Sequence, residues 1–441
     1  MEITKIETNY KRNLFWDISH PSSKEYSDKC EMRVLNVYDD VKYQTFIGFG
    51  GACTESAGYS FFKLSDEKQK EVLNDLYSEN GLNYSVVRLP IASSDFSKKP
   101  YAYTKKKDLS DFSLKEDEEF VLPLLRKIKE TKSDLTLFSA PWSPPSFMKS
   151  NKILIMGGKL EKEYYSLYAD YLVKYIKNYK DNGFDINFIS IQNEPNARQI
   201  WESCTYTPEE EADFAINYLA PKLKENELET KILIWDHNKE KLFLRAKAEF
   251  NIEGSSVIAG MAYHYYSGDH FDNIRIVREK FPEKLLIHTE GCTGYSHFRP
   301  EDEVHNGELY GHDILGDLNN GANAYIDWNL ILDNKGGPNH KFNYCNSPLM
   351  LNKEKTDYIK NLTYYYIGHF SKYIFPGSVR LGVSSYSDAI EITAFENPDS
   401  SYTVVLLNKN PWNMEYDLCM LGQVIHDNLD AHAIVTYKIN T

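Results

Sequence analysis

Two glutamates in this 441-residue chain stand where apolar runs stop: Glu194 closes INFISIQNE (186–194) and Glu290 closes LLIHTE (285–290). A carboxylate that ends a buried run faces whatever lies beyond it. Two of them facing one pocket suit cleavage of a glycosidic bond, in which one protonates the leaving oxygen and the other attacks or stabilises the oxocarbenium-like centre. A single such glutamate is more often a surface ion pair. The other runs, however, also end in reactive or sugar-binding types: Arg88 with Asp95 beyond it, Trp142, Asn193 beside Glu194, Asp236 with His237, His264 with Tyr266, and Trp328.

The elements that must position these residues are legible as a repeat. Eight short, β-rich apolar runs occupy 43–51, 84–90, 135–142, 186–194, 231–236, 257–266, 285–290 and 323–329, with polar loops and amphipathic helical patterns between them. The clearest helix is predicted over 161–180, where Tyr164, Leu167, Tyr168, Tyr171, Leu172, Tyr175, Ile176 and Tyr179 share one face. Continuous apolar runs alternating with helices imply parallel strands buried on both sides and joined by right-handed crossovers. Eight such units close into a (β/α)8 TIM barrel. An open doubly wound sheet lacks its phosphate loop here, because GFGGACTE is not GxGxxG and no GxxxxGK[ST] occurs. Barrel active sites lie at the C-terminal strand ends. Runs four and seven of an eight-membered ring are nearly opposite, so Glu194 and Glu290 can converge to roughly 5 Å, the separation of a retaining mechanism. After about residue 372 the pattern becomes period-two strands with turn residues, and the first 40 residues carry similar short strands without helix. The expected organisation is an N-terminal strand segment at 1–40, a barrel at 41–372 and a tail at 373–441, with segment and tail joined as a side antiparallel β-sandwich.

The blocks FIGFGGACTESAGYS, VVRLPIASSDFS, APWSPPSFMKSN, QNEPNA, HYYSGDHF, HTEGCTG, DWNLILDNKGGPN and YYYIGHFSKYIFPGSVR occur in order between about residues 45 and 380. They resemble successive blocks of glycoside hydrolase family 30, the glucosylceramidase-like family. The resemblance implies a retaining β-glycosidase with Glu194 as acid/base and Glu290 as nucleophile. It further implies that Arg88 orients the nucleophile, that Asp95 binds sugar hydroxyls and that Asn193 bonds the 2-hydroxyl. Trp142 and Trp328 would wall the subsite for the non-reducing sugar, with Tyr266 beside Glu290 and His264 in support. Two departures fall on the leaving-group side: Tyr265 stands where some members have Trp, and the loop after Glu194 has its own Trp201. The implied substrate is a β-linked glucoside or oligosaccharide, cleaved by an exo-acting β-glucosidase; endo-β-1,6-glucanase, β-xylosidase and β-fucosidase activities are alternatives on the same scaffold. A non-catalytic carbohydrate-binding barrel is the reading from another class, but such a barrel would be expected to have lost one carboxylate. With Glu290 charged a few ångströms away, Glu194 is expected to keep its proton near neutral pH.

Composition excludes other classes. A net charge of -14, from 64 acidic and 50 basic residues, opposes nucleic-acid binding. Aromatic content of 14%, with 33 Tyr, fits stacking surfaces for sugar rings. The chain begins without a basic segment and apolar run and contains no 18-residue apolar stretch, so a cytoplasmic protein without stable membrane association is expected. Cys30, Cys53, Cys204, Cys292, Cys345 and Cys419 lack CxxC spacing and read as free thiols. Cys292 reads as a packing residue at the barrel mouth rather than a nucleophile. His264, His288 and His297 lack HxH or HExxH spacing, and no metal or cofactor is expected. Lys105–Lys107 read as a solvated loop. Asp236 and His237 fit equally on the rim or behind it.

Overall fold

The computed structural model describes residues 2–26, 31–294 and 302–440; Cys30 and His297 lie outside the described residues. Eight strands, named here β1 (Gly48–Ala52), β2 (Val86–Ile91), β3 (Thr136–Pro141), β4 (Phe188–Ser190), β5 (Lys231–Asn238), β6 (Ile258–His264), β7 (Leu285–Glu290) and β8 (Ala324–Asp327), form a closed ring in chain order. Every neighbouring pair is parallel, including β8 with β1. The runs are continuously apolar because both strand faces are buried. Val86, Phe138, Phe188, Leu233 and Ile287 fill the barrel interior, while their neighbours Val87, Leu137, Ile189, Ile232, Ile234 and Leu286 pack beneath the surrounding helices. Glycine fits β1 to its neighbour: a Cβ on Gly50 would lie 1.8 Å from the Val86 carbonyl oxygen.

The first apolar run divides between two sheets. Residues 43–45 end the strand Val34–Thr45 of the second sheet, and the barrel begins only at Gly48. Phe46 and Ile47 bridge the two, donating to Ser378 O (2.8 Å) and Asn323 O (2.6 Å). An unbroken apolar run carries no mark of such a handover.

The tyrosine-striped helix spans Tyr165–Asp181, after a 3-10 turn at Lys162–Tyr164. Its stripe corrects the reading of the composition. Tyr168, Tyr171, Tyr175 and Tyr179 are fully buried against the barrel, so much of the tyrosine content builds the core rather than a sugar platform. Burying a large side chain contributes roughly 1.5–3 kcal/mol, provided its hydroxyl is satisfied. Asp117 does this locally, accepting from Tyr103 (2.6 Å), Tyr179 (2.8 Å) and Tyr101 (3.0 Å). Burial pushes its carboxyl up to about 7, against the pull of those hydroxyls.

The second sheet has ten strands, in the order Leu14–Ser19, Glu2–Asn9, Ala433–Asn440, Tyr402–Asn408, Glu391–Glu396, Val379–Ser385, Val34–Thr45, Met414–Met420, Gln423–Leu429 and Lys24–Glu25. Glu2–Asn9 pairs antiparallel with Ala433–Asn440 along its whole length, and Val34–Thr45 lies between two strands of the tail. Ile3, Leu35, Val404, Leu418 and Ile439 share one core, so the two ends of the chain build one unit. Between Glu2–Asn9 and Leu14–Ser19 the chain makes a 3-10 turn, Tyr10–Arg12. Among the described residues no helix is long and apolar enough to cross a membrane.

Candidate active site

Both glutamates reach the C-terminal mouth of the barrel. Glu290 is the last residue of β7; its Oε2 accepts from Arg88 Nη1 and its Oε1 from the Tyr266 hydroxyl (2.8 Å). Glu194 lies four residues beyond β4 with φ of 52°, a left-handed conformation. A carboxylate oxygen of Glu194, one of Glu290 and a ring nitrogen of His264 all lie within 4.8 Å of one another. Ala92, Trp235, Asp236 and Asn329, with φ of 64°, 74°, 47° and 74°, also take the left-handed region just beyond or at the ends of their strands. Such residues cost on the order of 1–3 kcal/mol each and persist only where surrounding structure imposes them.

Arg88, Asp236 and His264 are that surrounding structure. Arg88 is wholly buried; Nη2 donates to Asn193 Oδ1 (2.8 Å) and Asp236 Oδ2 (3.0 Å), and the guanidinium lies over Trp142 (4.9 Å) and Trp328 (5.5 Å). Burial opposes its charge, but Asp236 and Glu290 outweigh burial and raise its pKa. Asp236 accepts from Ser190 (2.8 Å) and Thr289 (2.6 Å) and contacts His264 Nε2 (3.1 Å). Burial would raise its pKa, yet Arg88 first, then His264 and Thr289, hold it far below the ordinary carboxylate range. Asp236 therefore lies behind the pocket, whereas His237 lines it and is held below its ordinary pKa chiefly by burial.

His264 competes with Glu194 for the proton expected on that carboxylate. His264 Nδ1 is 3.4 Å from Glu194 Oε1, and Nε2 is 3.9 Å from Glu290 Oε2. Burial disfavours the imidazolium, but Glu290, Asp236 and Glu194 together push its pKa up to about 9. Burial likewise raises Glu194, and His264 at 3.4 Å, with the charge of His237, overcomes it, so Glu194 is lowered. The sequence expectation counted the repulsion from Glu290 and missed the histidine between the two carboxylates. Arg88 and His264, grouped above with the sugar-binding residues, are wholly buried and touch carboxylates instead of lining the cavity.

The cavity has a volume of about 600 Å³ and is lined by Asp95, Trp142, Asn193, Tyr266 and Trp328 as well as both glutamates. The Trp142 and Trp328 rings lie 5.4 Å apart and 25° from parallel, forming one continuous aromatic wall. Asp95 accepts from Asn343 Nδ2 (2.9 Å) and Asn339 Nδ2 (3.4 Å), and burial pushes its carboxyl up to about 7 against the bond from Asn343. Those two asparagines escaped the sequence reading; the turn-rich stretch GGPNHKFN was the available signal. Tyr265 and Trp201 also line the cavity, and Cys292 lies 3.5 Å from the Tyr266 hydroxyl while its carbonyl accepts from Tyr265. His288 does not line the cavity; its Nδ1 lies 2.6 Å from Asp317, whose other oxygen accepts from Lys239 (3.0 Å). Lys105–Lys107 are exposed.

Comparison with known proteins agrees with this geometry. The model of the glycosyl hydrolase family 30 TIM-barrel domain matches residues 46–374, and that of the family 30 β-sandwich domain matches 377–437. Putative glucosylceramidase 3 of Caenorhabditis elegans is 36% identical over 378 residues, covering 79% of this chain and 72% of the relative. The crystal structure of SrfJ from Salmonella typhimurium superposes with a TM-score of 0.97 at 32% identity, covering 100% of both chains. The endo-β1,6-glucanase BT3312 superposes with a TM-score of 0.90 at 28% identity, covering 100% of this chain and 99% of that one.

Proposed function

Because the chain belongs to glycosyl hydrolase family 30, whose members hydrolyse β-glycosides, we propose that it is an exo-acting, retaining β-glucosidase in which Glu290 is the nucleophile and Glu194 the acid/base. One observation carries the reading: the two carboxylates approach within 4.8 Å. Retaining enzymes need about 5–5.5 Å, whereas an inverting enzyme needs roughly 6.5–9.5 Å to admit a water between them.

In the first step Glu290 attacks the anomeric carbon, the glycosidic C–O bond breaks, and the leaving oxygen takes a proton from Glu194. The His264–Glu194 contact holds that proton, and Glu194 receives it from the imidazolium as substrate desolvates the pair. Bonds from Arg88 to Oε2 and from Tyr266 to Oε1 fix the orientation of the Glu290 carboxylate at the pocket. Once Glu290 is esterified its charge is gone. Glu194, now anionic, takes a proton from water, whose oxygen displaces Glu290 from the anomeric carbon with overall retention. Asn193, fixed by Arg88, is placed to bond the sugar's 2-hydroxyl, and Trp142 with Trp328 to pack on its face.

Exo action is supported by Asp95, which is 4% exposed and held by two asparagines at the sugar-binding end of the cavity. A terminal unit fits against it; a chain continuing past that unit would have to displace it. Small β-glucosides are therefore the proposed substrates. The likeness to BT3312 favours a second reading, endo-β-1,6-glucanase. Two measurements decide. A 2-fluoro β-glucoside inactivator should label the peptide containing Glu290. Then kcat/KM for gentiobiose should exceed that for long β-1,6-glucan; release of internal fragments from the long chain would establish the endo reading instead.

A further inference from the structure

Among the buried ion pairs that the chemistry above leaves unused, one lies beside the pocket. Glu202, next to Trp201 in the loop after β4, has a side chain 1% exposed, and neither of its buried oxygens has a hydrogen-bond partner among the described residues. Its nearest cationic partner is His340 Nε2, 3.3 Å away in the loop after β8, while buried Lys149, bonded to the adjacent Ser203 carbonyl (2.6 Å), also acts on its charge. The other ring nitrogen, Nδ1, lies 2.9 Å from the carbonyl oxygen of Ser97, in the loop after β2. A carbonyl only accepts, so Nδ1 carries hydrogen. A neutral ring with its hydrogen there would leave an uncharged nitrogen 3.3 Å from a buried carboxylate; the imidazolium places a compensating cation at that distance.

The same turn holds the sugar-binding end. The His340 backbone N–H donates to Asp95 O (3.3 Å), and Asn339 and Asn343, on either side of His340, donate to the Asp95 carboxylate. Three loops thus meet at one ring: the one carrying Asp95, the one carrying Trp201 and the one carrying Asn343. The charged groups that face it, Glu202 and Asp95, are both acidic; burial opposes the cation, and Glu202, Ser97 and Asp95 together raise its pKa.

We propose that protonated His340 is a positioning residue that ties these three loops together, so that its charge sets how tightly the pocket holds substrate while leaving the chemical step alone. This rests on reading the cavity as a β-glucoside site, and the experiment separates the two. Proton NMR of the histidines, with His340 assigned by its loss in His340→Gln, should place its midpoint above the ordinary 6.5, and Glu202→Gln should lower that midpoint by about one unit. A midpoint at or below 6.5 overturns the proposal whatever the enzyme hydrolyses. With an aryl β-glucoside, KM of the native enzyme should rise about tenfold as pH passes the midpoint, the scale of one lost charge-assisted contact. His340→Gln should show that raised KM at every pH with kcat within about twofold, and His340→Arg should restore the low KM and remove its pH dependence. A native KM that is flat across the midpoint, or a His340→Gln enzyme that loses kcat instead, refutes it. Failure of the native enzyme to cleave the glucoside at all counts against the proposed function, while the NMR midpoint still decides whether the charged tie exists.

Discussion

The two ends of the barrel differ in a way that volume does not explain. The cavity at the N-terminal mouth, about 820 Å³ and lined by Thr45, Thr136, Asn187, Lys231 and Asn323, is larger than the one of about 600 Å³ at the C-terminal mouth. At the N-terminal end, side chains serve the backbone. Asn323 accepts from Leu286 N (2.9 Å) and donates to Thr45 O (2.9 Å), Asn187 accepts from Leu137 N (2.7 Å), and Thr230 donates to Ile186 O (2.7 Å). At the C-terminal end, side chains serve one another: Arg88, Asp236, His264, Glu194 and Glu290 form a desolvated charge network beside left-handed residues. Space alone does not make a site. What distinguishes the chemical end is charge held out of water and aimed into the space, in the division of roles expected of such barrels.

The comparison breaks if substitutions at the chemical end cost stability instead of activity. Glu290→Gln keeps the shape and removes the charge that would attack. It should lower kcat by about 10⁴-fold or more while the protein stays folded, because Asp236 still balances the buried Arg88 charge. Unfolding on this substitution would mean that the network is structural.

The next effect is read against pH. The His264–Glu194 contact holds one proton between them, and its loss is governed by the pair, not by either residue. Since His264 is pushed up to about 9, activity should persist through neutral pH and fall about tenfold per unit above that value. Removing the imidazole in His264→Asn leaves the proton to Glu194 alone, without a cation at its side; the alkaline limb should move acidward by more than one unit. A limb that stays in place in His264→Asn would show that the proton never depended on that contact.

How far this was legible follows from the same contrast. The rim positions of Glu194, Glu290 and Trp328 could be read because a parallel barrel puts the ends of its apolar runs on one rim, whereas Arg88 lies inside β2 and reaches the glutamate by its length. The protonation of Glu194 could not, because it depends on a histidine brought 3.4 Å away from a different strand, β6. Asp236 was undecidable because rim and interior differ by the side of the strand a residue faces, and a left-handed residue, here with φ of 47°, breaks the alternation that would have told them apart. The tyrosines of 165–181 were read as a helical face correctly, but their number was also credited to sugar stacking, because packing and stacking call for the same ring.

At the N-terminal end the effect should be smaller and purely structural. Asn323→Ala leaves the buried Leu286 N–H without its side-chain acceptor and takes from Arg278 Nη2 one of its two acceptors (2.6 Å), the Gly321 carbonyl remaining. A loss of about 1–3 kcal/mol in chemical denaturation is expected, with kcat/KM unchanged at temperatures where the fold holds.

The finest test sets asparagine against asparagine. Asn343 is at the chemical end, and its amide donates to Asp95, whose carboxyl burial pushes up to about 7. That bond favours the ionised form, so Asn343→Ala should move the Asp95 midpoint further up. A buried carboxylate raised above its unfolded value is bound to its proton more tightly in the folded state, so the fold loses stability as pH rises through the folded midpoint. The variant should therefore match the native protein most closely near pH 4, where Asp95 is protonated in both, and fall behind it by about 1 kcal/mol near pH 8. Affinity for a neutral glucose-like inhibitor should drop by a few fold over the same interval, as the acceptor for the sugar hydroxyls loses its fixed orientation. In Asn323→Ala the stability loss should be the same at both pH values, because the groups it frees are a peptide N–H and a guanidinium that do not titrate there. If Asn343→Ala is equally pH-independent, Asp95 is not the titrating group and the pocket's acidic end is built for packing alone.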